Sequence, residues 1–459
     1  MKTLQRLQSL LLITLFALPA VSGLPSVNAN SAITINQDGS ISPPDAPVNR
    51  NGETYTLTSN TSETIIIQRN NTIFDGQGYS IHGNTSNQAI TLSNTKNVTV
   101  KNIQVSGFST GIKITQSTDT AAINTSITNC TYGILVDQSP TTKIANNTIQ
   151  SNKWDGIFIT NSPNTQITDN KIESNGKWGI YLGYSDECTL KDNQLSDNKY
   201  NFGVSVNFHQ DIDTSNTING HPIIYWINQQ NKQVPADASY VALIDSNNID
   251  AQNLHLAQNG QGITLVNSAN NHIENCNVTS NSYYGIALIN SNYNTISNNT
   301  VTRNEGAGIT LVSSPSNSIT NNTIQENYTG ISLQNANDNS IHHNNFINNT
   351  RQAATENSKN TWDDGYPSGG NYWNDYKGKD ANNDGIGDTP YTIDNDNQDK
   401  YPLMSTVKNM PTNDHDPLAP IIPILIIALI IITVTPILTV LYKSRKNKNT
   451  LPQNRQRNN

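Results

Sequence analysis

The chain has 459 residues, of which only 14% are charged and 34% hydrophobic, a balance far from that of an ordinary cytosolic enzyme. Its net charge is −8 and no basic patch precedes the last 17 residues, which argues against nucleic acid as a partner. The 72 Asn, 40 Ser and 49 Thr would suit disorder, but Ile, Val and Leu recur through them at regular intervals, which points to a repeat fold instead.

Met1 to Arg6 carries two positive charges, residues 10–21 are apolar, and small residues follow up to Val27-Asn28-Ala29. That order predicts a secretory signal peptide over residues 1–29. Residues 30–62 are expected to form an N-terminal cap.

Coils are predicted over residues 63–205 and 241–350. A Gly followed by Ile or Val recurs at Gly111, Gly133, Gly156, Gly179 and Gly203, and again at Gly262, Gly285, Gly308 and Gly330, with steps of 22 to 24. Apolar residues stand singly or in pairs two to five apart, never in a 3.6-residue stripe, so each unit reads as three short strands separated by tight turns. Such units stack as a right-handed parallel β-helix of about ten coils, about 4.8 Å apart, whose inward Ile, Val and Leu make columns that one unit alone cannot bury. Asn suits the turns because it tolerates left-handed φ and its amide can bond to the Asn one coil above. Tyr132, Trp154, Trp178 and Phe202 lie one or two residues before the repeat Gly, as do Tyr284 and Tyr328. They are expected to form an aromatic column able to meet successive sugar rings, or to stack on one another and shield the turn.

The spacing lapses over residues 206–240, read as a hairpin or loop standing out from the coils. It holds His209, Asp211, Asp213 and His221, the ionisable cluster best suited to acid–base chemistry, although no Arg matches it in repeat position to hold an acidic sugar. Adjacent strand residues point to opposite faces, which counts against His342 and His343 as joint metal ligands.

Residues 351–405 form an Asp/Asn/Gly-rich cap. Asp380, Asn382, Asp384 and Asp388 take positions 1, 3, 5 and 9 of a calcium loop, with Gly385 at position 6. Tyr391 stands where an EF-hand has its bidentate Glu, leaving Asp394 or Asp396 to substitute. A structural calcium ion capping the last coil is the expectation. Residues 406–417 read as a linker. Residues 418–442 carry no charge and as a helix would span about 37 Å, enough for a bilayer core. The basic residues of the tail, 443–459, place that end in the cytoplasm and the acidic remainder outside on one membrane anchor.

Thr72-Ile-Phe-Asp-Gly-Gln-Gly78-Tyr79, the Gly-Ile coils, Gly370-Asn-Tyr-Trp373-Asn-Asp-Tyr376 and Asp380-Ala-Asn-Asn-Asp384-Gly-Ile-Gly-Asp388-Thr-Pro-Tyr391 resemble the NosD-type β-helix family over roughly residues 63–405. Membrane-anchored forms of this kind are typical of archaeal cell surfaces. In bacteria the resemblance implies a periplasmic protein that assists copper assembly of nitrous oxide reductase, with an ABC transporter as partner. Copper handling calls for Met, Cys and His. Between signal and span the only methionines are Met404 and Met410, and the cysteines, Cys130, Cys188 and Cys276, occupy unmatched repeat positions, so copper is disfavoured. Three function classes stay open: a non-catalytic surface protein that binds glycan or builds the envelope, a polysaccharide lyase, hydrolase or epimerase, and a copper-handling accessory protein. Asn-x-Ser/Thr occurs 12 times, no more than this composition gives by chance.

Overall fold

The computed structural model describes residues 32–84 and 87–408. The expected signal peptide, span and tail lie outside them. Every regular element among the described residues is a β-strand, and no helix there is long and apolar enough to cross a membrane. The described residues divide into two units, the first running to Tyr225 with Gln258–Gly260 added, the second made of Trp226–Ala257 and the residues from Gln261 on.

In the first unit eight strands stack in parallel to make one long ladder: Ala32–Ile35, Thr64–Ile67, Gln88–Ser93, Thr110–Thr115, Tyr132–Asp137, Ile157–Thr160, Trp178–Gly183 and Tyr200–Ser205. Two shorter ladders complete each later coil, for example Lys143–Ala145 on Gln166–Thr168 and Thr148–Gln150 on Lys171–Glu173. The second unit repeats the scheme with six long-ladder strands, Tyr240–Ile244, Gln261–Val266, Tyr284–Ile289, Ala307–Val312, Thr329–Gln334 and Arg351–Glu356. The architecture is a parallel β-solenoid of the right-handed type with about 14 turns, more than the ten expected. The additional coils lack the Gly-Ile signal: Thr64-Ile65 and Ala89-Ile90 hold its place early, Tyr240-Val241 and Gln352-Ala353 later.

The inward columns are as the repeat predicts. Ile112, Ile134, Ile157 and Ile180 follow one another at 0% exposure, as do Ile263, Ile286, Ile309 and Ile331. Each such side chain contributes about 1.5–3 kcal/mol by leaving water. The repeat Gly is required by close approach rather than by positive φ: a Cβ on Gly156 would lie 2.7 Å from Ile172 Cγ2 and 2.8 Å from the Gly179 carbonyl oxygen.

The Asn-Asn pairs divide two tasks. Asn146, Asn298 and Asn321 take φ of 56°, 56° and 57° at the corner, a conformation Asn tolerates better than most residues. Their neighbours Asn147, Asn299 and Asn322 turn inward and are buried. The amide nitrogen of Asn147 donates to Asn170 Oδ1 at 2.9 Å, Asn170 to Asn193 at 2.9 Å, and Asn193 to Asn216 at 2.8 Å. A second-unit ladder runs Asn299–Asn322–Asn344–Asn371 in the same way. These bonds satisfy polar groups that burial would otherwise penalise.

Within residues 206–240 the lapse in spacing is not a break in the ladders. Asp211–Ile212 and Thr217–Ile218 pair in parallel with Thr189–Lys191 and Gln194–Ser196. The chain then reverses at Asn219 and Gly220, φ 51° and 83°, so that His221 pairs antiparallel with Ile218. At the other end of the chain, Trp373 closes the apolar column by stacking on Phe346 at 4.4 Å and under Tyr391 at 4.2 Å. The buried Asp399 carboxylate accepts the Trp373 indole N–H at 2.9 Å and the Asn371 and Tyr401 amides at 2.7 and 3.1 Å.

Candidate functional site

The rings expected to share a column do not. Strand register sets Thr110, Tyr132, Asp155, Trp178 and Tyr200 over one another. Trp154 belongs to the next position, above Thr131, whose carbonyl accepts its amide at 2.8 Å. Gly203 is also out of place as a repeat Gly: it pairs with Tyr181, and Phe202 aligns with Ile180 inside the core at 0% exposure. A Cβ at Gly203 would lie 2.7 Å from the Trp178 ring, so this glycine makes room for an indole that is itself only 1% exposed. Tyr284 lies over Ala307 and Thr329, while Tyr328 is the residue before that position. Only Trp154 and Tyr328 present large exposed faces, at 45% and 64%. Tyr132 is half-buried and meets Trp154 edge-on at 5.3 Å. An offset of one residue on a strand changes the face on which a ring stands, and counting back from the Gly concealed it.

The outward face of the long ladder in the first unit carries a true column: Ile66, Thr91, Lys113, Leu135, Phe158 and Tyr181, all half-exposed. Phe158 and Tyr181 stack at 5.0 Å with an 18° interplanar angle. Gly183, whose added Cβ would meet the Tyr181 ring at 2.8 Å, lets that ring lie along its strand. Ser205 fixes the phenol by a hydroxyl–hydroxyl bond of 2.8 Å, and the Trp178 indole packs beside it at 5.2 Å. Asp137 and Thr160 run alongside, two residues on and on the same face. Near the corner, burial pushes the Asp155 carboxyl up to about 6, against Lys177 and the Trp178 amide, which pull it down; that amide donates to it at 3.1 Å. Burial and the Asp155 charge raise the Tyr132 phenol to about 12. Asp155 is 2% exposed and serves the coil rather than an external substrate.

His209, Asp211 and Asp213 are all exposed. Asp211 approaches Lys191 at 3.7 Å, and Asp213 accepts the Ser215 amide and hydroxyl within its own turn. In the second unit the Asp380 loop turns as its sequence requires, with Gly385 at φ 88°. Asp380 accepts the amides of Asp384 and Gly385 at 3.1 and 2.9 Å, and Asp388 accepts that of Ala381 at 2.8 Å. Asp394, considered as a further ligand, instead bonds Thr355 and Asn397.

The family described as periplasmic copper-binding protein (NosD) matches residues 28–229 and 212–378. The chain belongs to the NosD family. No curated protein matches it. Similar solved structures include the Azotobacter vinelandii mannuronan C-5 epimerase AlgE6 A-module, 11% identical, covering 67% of this chain and 88% of that one at a TM-score of 0.32. The periplasmic alginate epimerase AlgG is 13% identical, with 69% and 80% covered and a TM-score of 0.28. The catalytic domain of GH87 alpha-1,3-glucanase in complex with tetrasaccharides is 12% identical, with 77% and 71% covered and a TM-score of 0.31. At these identities the likeness is one of fold.

The cysteines do not answer to the copper in the family description. Cys130 and Cys276 replace ladder asparagines, their amides bonding Asn152 and Asn299. Cys188 donates to the carbonyls of Ser162 and Asp186. All three are buried, and burial drives their thiols up, to about 11 for Cys188 and about 12 for Cys276. Thiols held protonated in separate coils do not make a soft-metal centre.

Proposed function

We propose that this NosD-family solenoid is a non-catalytic binding protein for a neutral polysaccharide, held along Leu135, Phe158 and Tyr181 with Trp154 at the corner. The single observation behind this reading is the stacked, half-exposed pair Phe158–Tyr181 on an outward face whose neighbouring positions are hydroxyls and a carboxylate. Ring faces carry negative charge density and attract the C–H edges of pyranoses. Hydroxyl and carboxylate groups beside them suit sugar hydroxyls. Coils about 4.8 Å apart present successive positions at close to the repeat of a glycan chain. Between the expected signal and tail the chain carries about −16, since eight of its 27 basic residues and none of its 35 acids lie in those ends; such a field repels anionic polymers.

The test is gel retardation of the full chain in a panel of neutral polysaccharides, comparing parent with Phe158→Ala/Tyr181→Ala. Loss of two stacking faces should weaken binding by roughly tenfold or more, since 1.4 kcal/mol is tenfold, with the melting temperature nearly kept because both rings are half-exposed. Retardation unchanged in the double variant, or none by any neutral polysaccharide, would refute the reading.

A further inference from the structure

The C-terminal segment gathers ionisable side chains against the last coils at more than one place. At one corner His342 and His343 stand with their Nδ1 atoms 3.1 Å apart. The segment Asp363 to Gly370 lies beside them, and the Gly370 carbonyl accepts the His343 amide at 2.7 Å. On a different ladder, along strand Arg351–Glu356, a cleft of about 250 Å³ opens toward Asp375 and strand Tyr391–Thr392. Its lining holds one cation, Arg351, and one carboxylate, Asp375, both exposed.

Each of these charges is held by the scaffold instead of by the other. Arg351 Nε donates to the Ala353 carbonyl at 3.0 Å, a bond that occupies Nε and leaves the two terminal nitrogens of the guanidinium. Asp375 accepts the Tyr391 phenol at 3.3 Å, and Tyr391 is fixed in turn by stacking on Trp373 at 4.2 Å and 8°. Burial, and then the Asp375 charge, push that phenol up, so it remains a donor at neutral pH. Opposite charges that meet elsewhere in this unit pair directly, as Arg303 and Glu326 do at 2.9 Å. Arg351 and Asp375 line one cleft and form no such pair. The buried floor satisfies itself, since Asn349 donates to Gln352 Oε1 at 2.9 Å and Gln352 donates to Asn374 Oδ1. The polar demand of the cleft therefore rests on its two exposed charges.

We propose that this cleft binds a small zwitterion of the α-amino acid class, its carboxylate on Arg351 and its ammonium on Asp375. The guanidinium offers a planar fork to the two oxygens of a carboxylate, and the Asp375 carboxylate accepts from an ammonium, which has only donors. Charge selects against simpler ligands. A plain anion meets Asp375 and the negative field of an acidic chain, and a plain cation meets Arg351. A zwitterion is neutral as a whole and answers both groups. About 250 Å³ lies just below the usual range of small-molecule sites, which suits a single amino acid and not a peptide. Ala353 and Ile393 give its side chain an apolar wall. The argument is independent of the polysaccharide reading, which concerns the first unit.

The experiment titrates the full chain by calorimetry with each of the common L-amino acids. Those that bind are then tried as the amide, which lacks the carboxylate, and as the N-acetyl form, which lacks the ammonium. The parent should bind at least one amino acid and lose roughly tenfold or more for either blocked form, because each removes a hydrogen bond to a charged group. Arg351→Gln should abolish the preference for acid over amide and keep the preference for free over acetylated ammonium. Asp375→Asn should do the reverse, an exchange that a merely structural role would not produce. Both side chains are exposed, so both variants should keep the parent melting temperature. Phe158→Ala/Tyr181→Ala, in the first unit, should leave every affinity unchanged. A parent that binds no amino acid overturns the proposal. So do blocked forms that bind as well as the free ones, or variants that keep both of the parent's preferences.

Discussion

The two units share their inward columns and differ outward. At the register position where the first unit sets half-exposed Leu135, Phe158 and Tyr181, the second sets small residues, Ala287 and Thr310 buried and Ser332 and Ala354 half-exposed. Within each, the Ile columns, repeat glycines and Asn ladders agree coil by coil. Stacking is thus decided by residues that face in, while residues that face out are free to diverge. The first unit spends that freedom on aromatic rings, the second on a corner with two histidines and a closing acidic loop.

The comparison predicts first that inward substitutions cost the same in both units. Ile157→Asp and Ile309→Asp each place a charge among apolar side chains at 0% exposure and should destabilise by about 4 kcal/mol or more. Thr160→Asp, half-exposed on the outward face, should stay within roughly 1 kcal/mol. Urea melts of the three variants check this. Equal losses for Thr160 and Ile157 would mean that the inward and outward faces have been exchanged.

The buried acids sharpen the contrast. Asp155 has its carboxyl raised to about 6 by burial. Between its ordinary value near 4 and 6 the folded chain holds a proton that the unfolded chain has released, so stability falls as pH rises through that window. Two pKa units correspond to about 3 kcal/mol. Asp155→Asn keeps an oxygen for the Trp178 amide and should remove that loss, stabilising the first unit at pH 8. Asp399 in the second unit is likewise raised to about 6 by burial, yet both its oxygens accept N–H bonds. Asp399→Asn turns one acceptor into a donor and should destabilise at every pH. Melting curves at pH 4, 6 and 8 separate the two; a destabilising Asp155→Asn at pH 8 would contradict the assignment.

The smallest effect concerns calcium at Asp380, Asn382, Asp384 and Asp388, a loop with no counterpart in the first unit. An ion bound only by the folded chain stabilises by about 1.4 kcal/mol at ten times its Kd. Millimolar calcium should therefore raise the melting temperature of the parent by a few degrees and leave Asp384→Ala unmoved. A parent indifferent to calcium would show the loop to be closed by its own hydrogen bonds alone.

The coils were legible because inward positions obey a period that Gly-Ile marks, and Gly is there because a Cβ at Gly156 would strike the next coil. Where another residue precedes the inward Ile, as at Thr64-Ile65 and Ala89-Ile90, the mark vanishes and coils go uncounted. The outward rings were harder to read, since a shift of one residue separates buried Trp178 from exposed Trp154. Gly203 shows the same difficulty: it spares Trp178 a collision but sits two residues out of the glycine column. The histidine pair was hidden for another reason. Neighbours diverge on a strand, and only the left-handed φ at His343 brings the rings together; the signal available was that His343 precedes a ladder asparagine, Asn344, as Asn321 precedes Asn322.

The buried asparagine ladders also bear on how such a chain can change length. Asn147, Asn170 and Asn193 stand 23 residues apart, each offering its upper neighbour the bond it receives from below. A coil added or lost between two rungs restores the same donor facing the same acceptor, and extra residues are accommodated where they leave the rung in place, as in the 27-residue step from Asn344 to Asn371. Size in this molecule is therefore counted in whole coils, and gene duplication or deletion of one rung-to-rung segment is the natural step by which descendants lengthen or shorten.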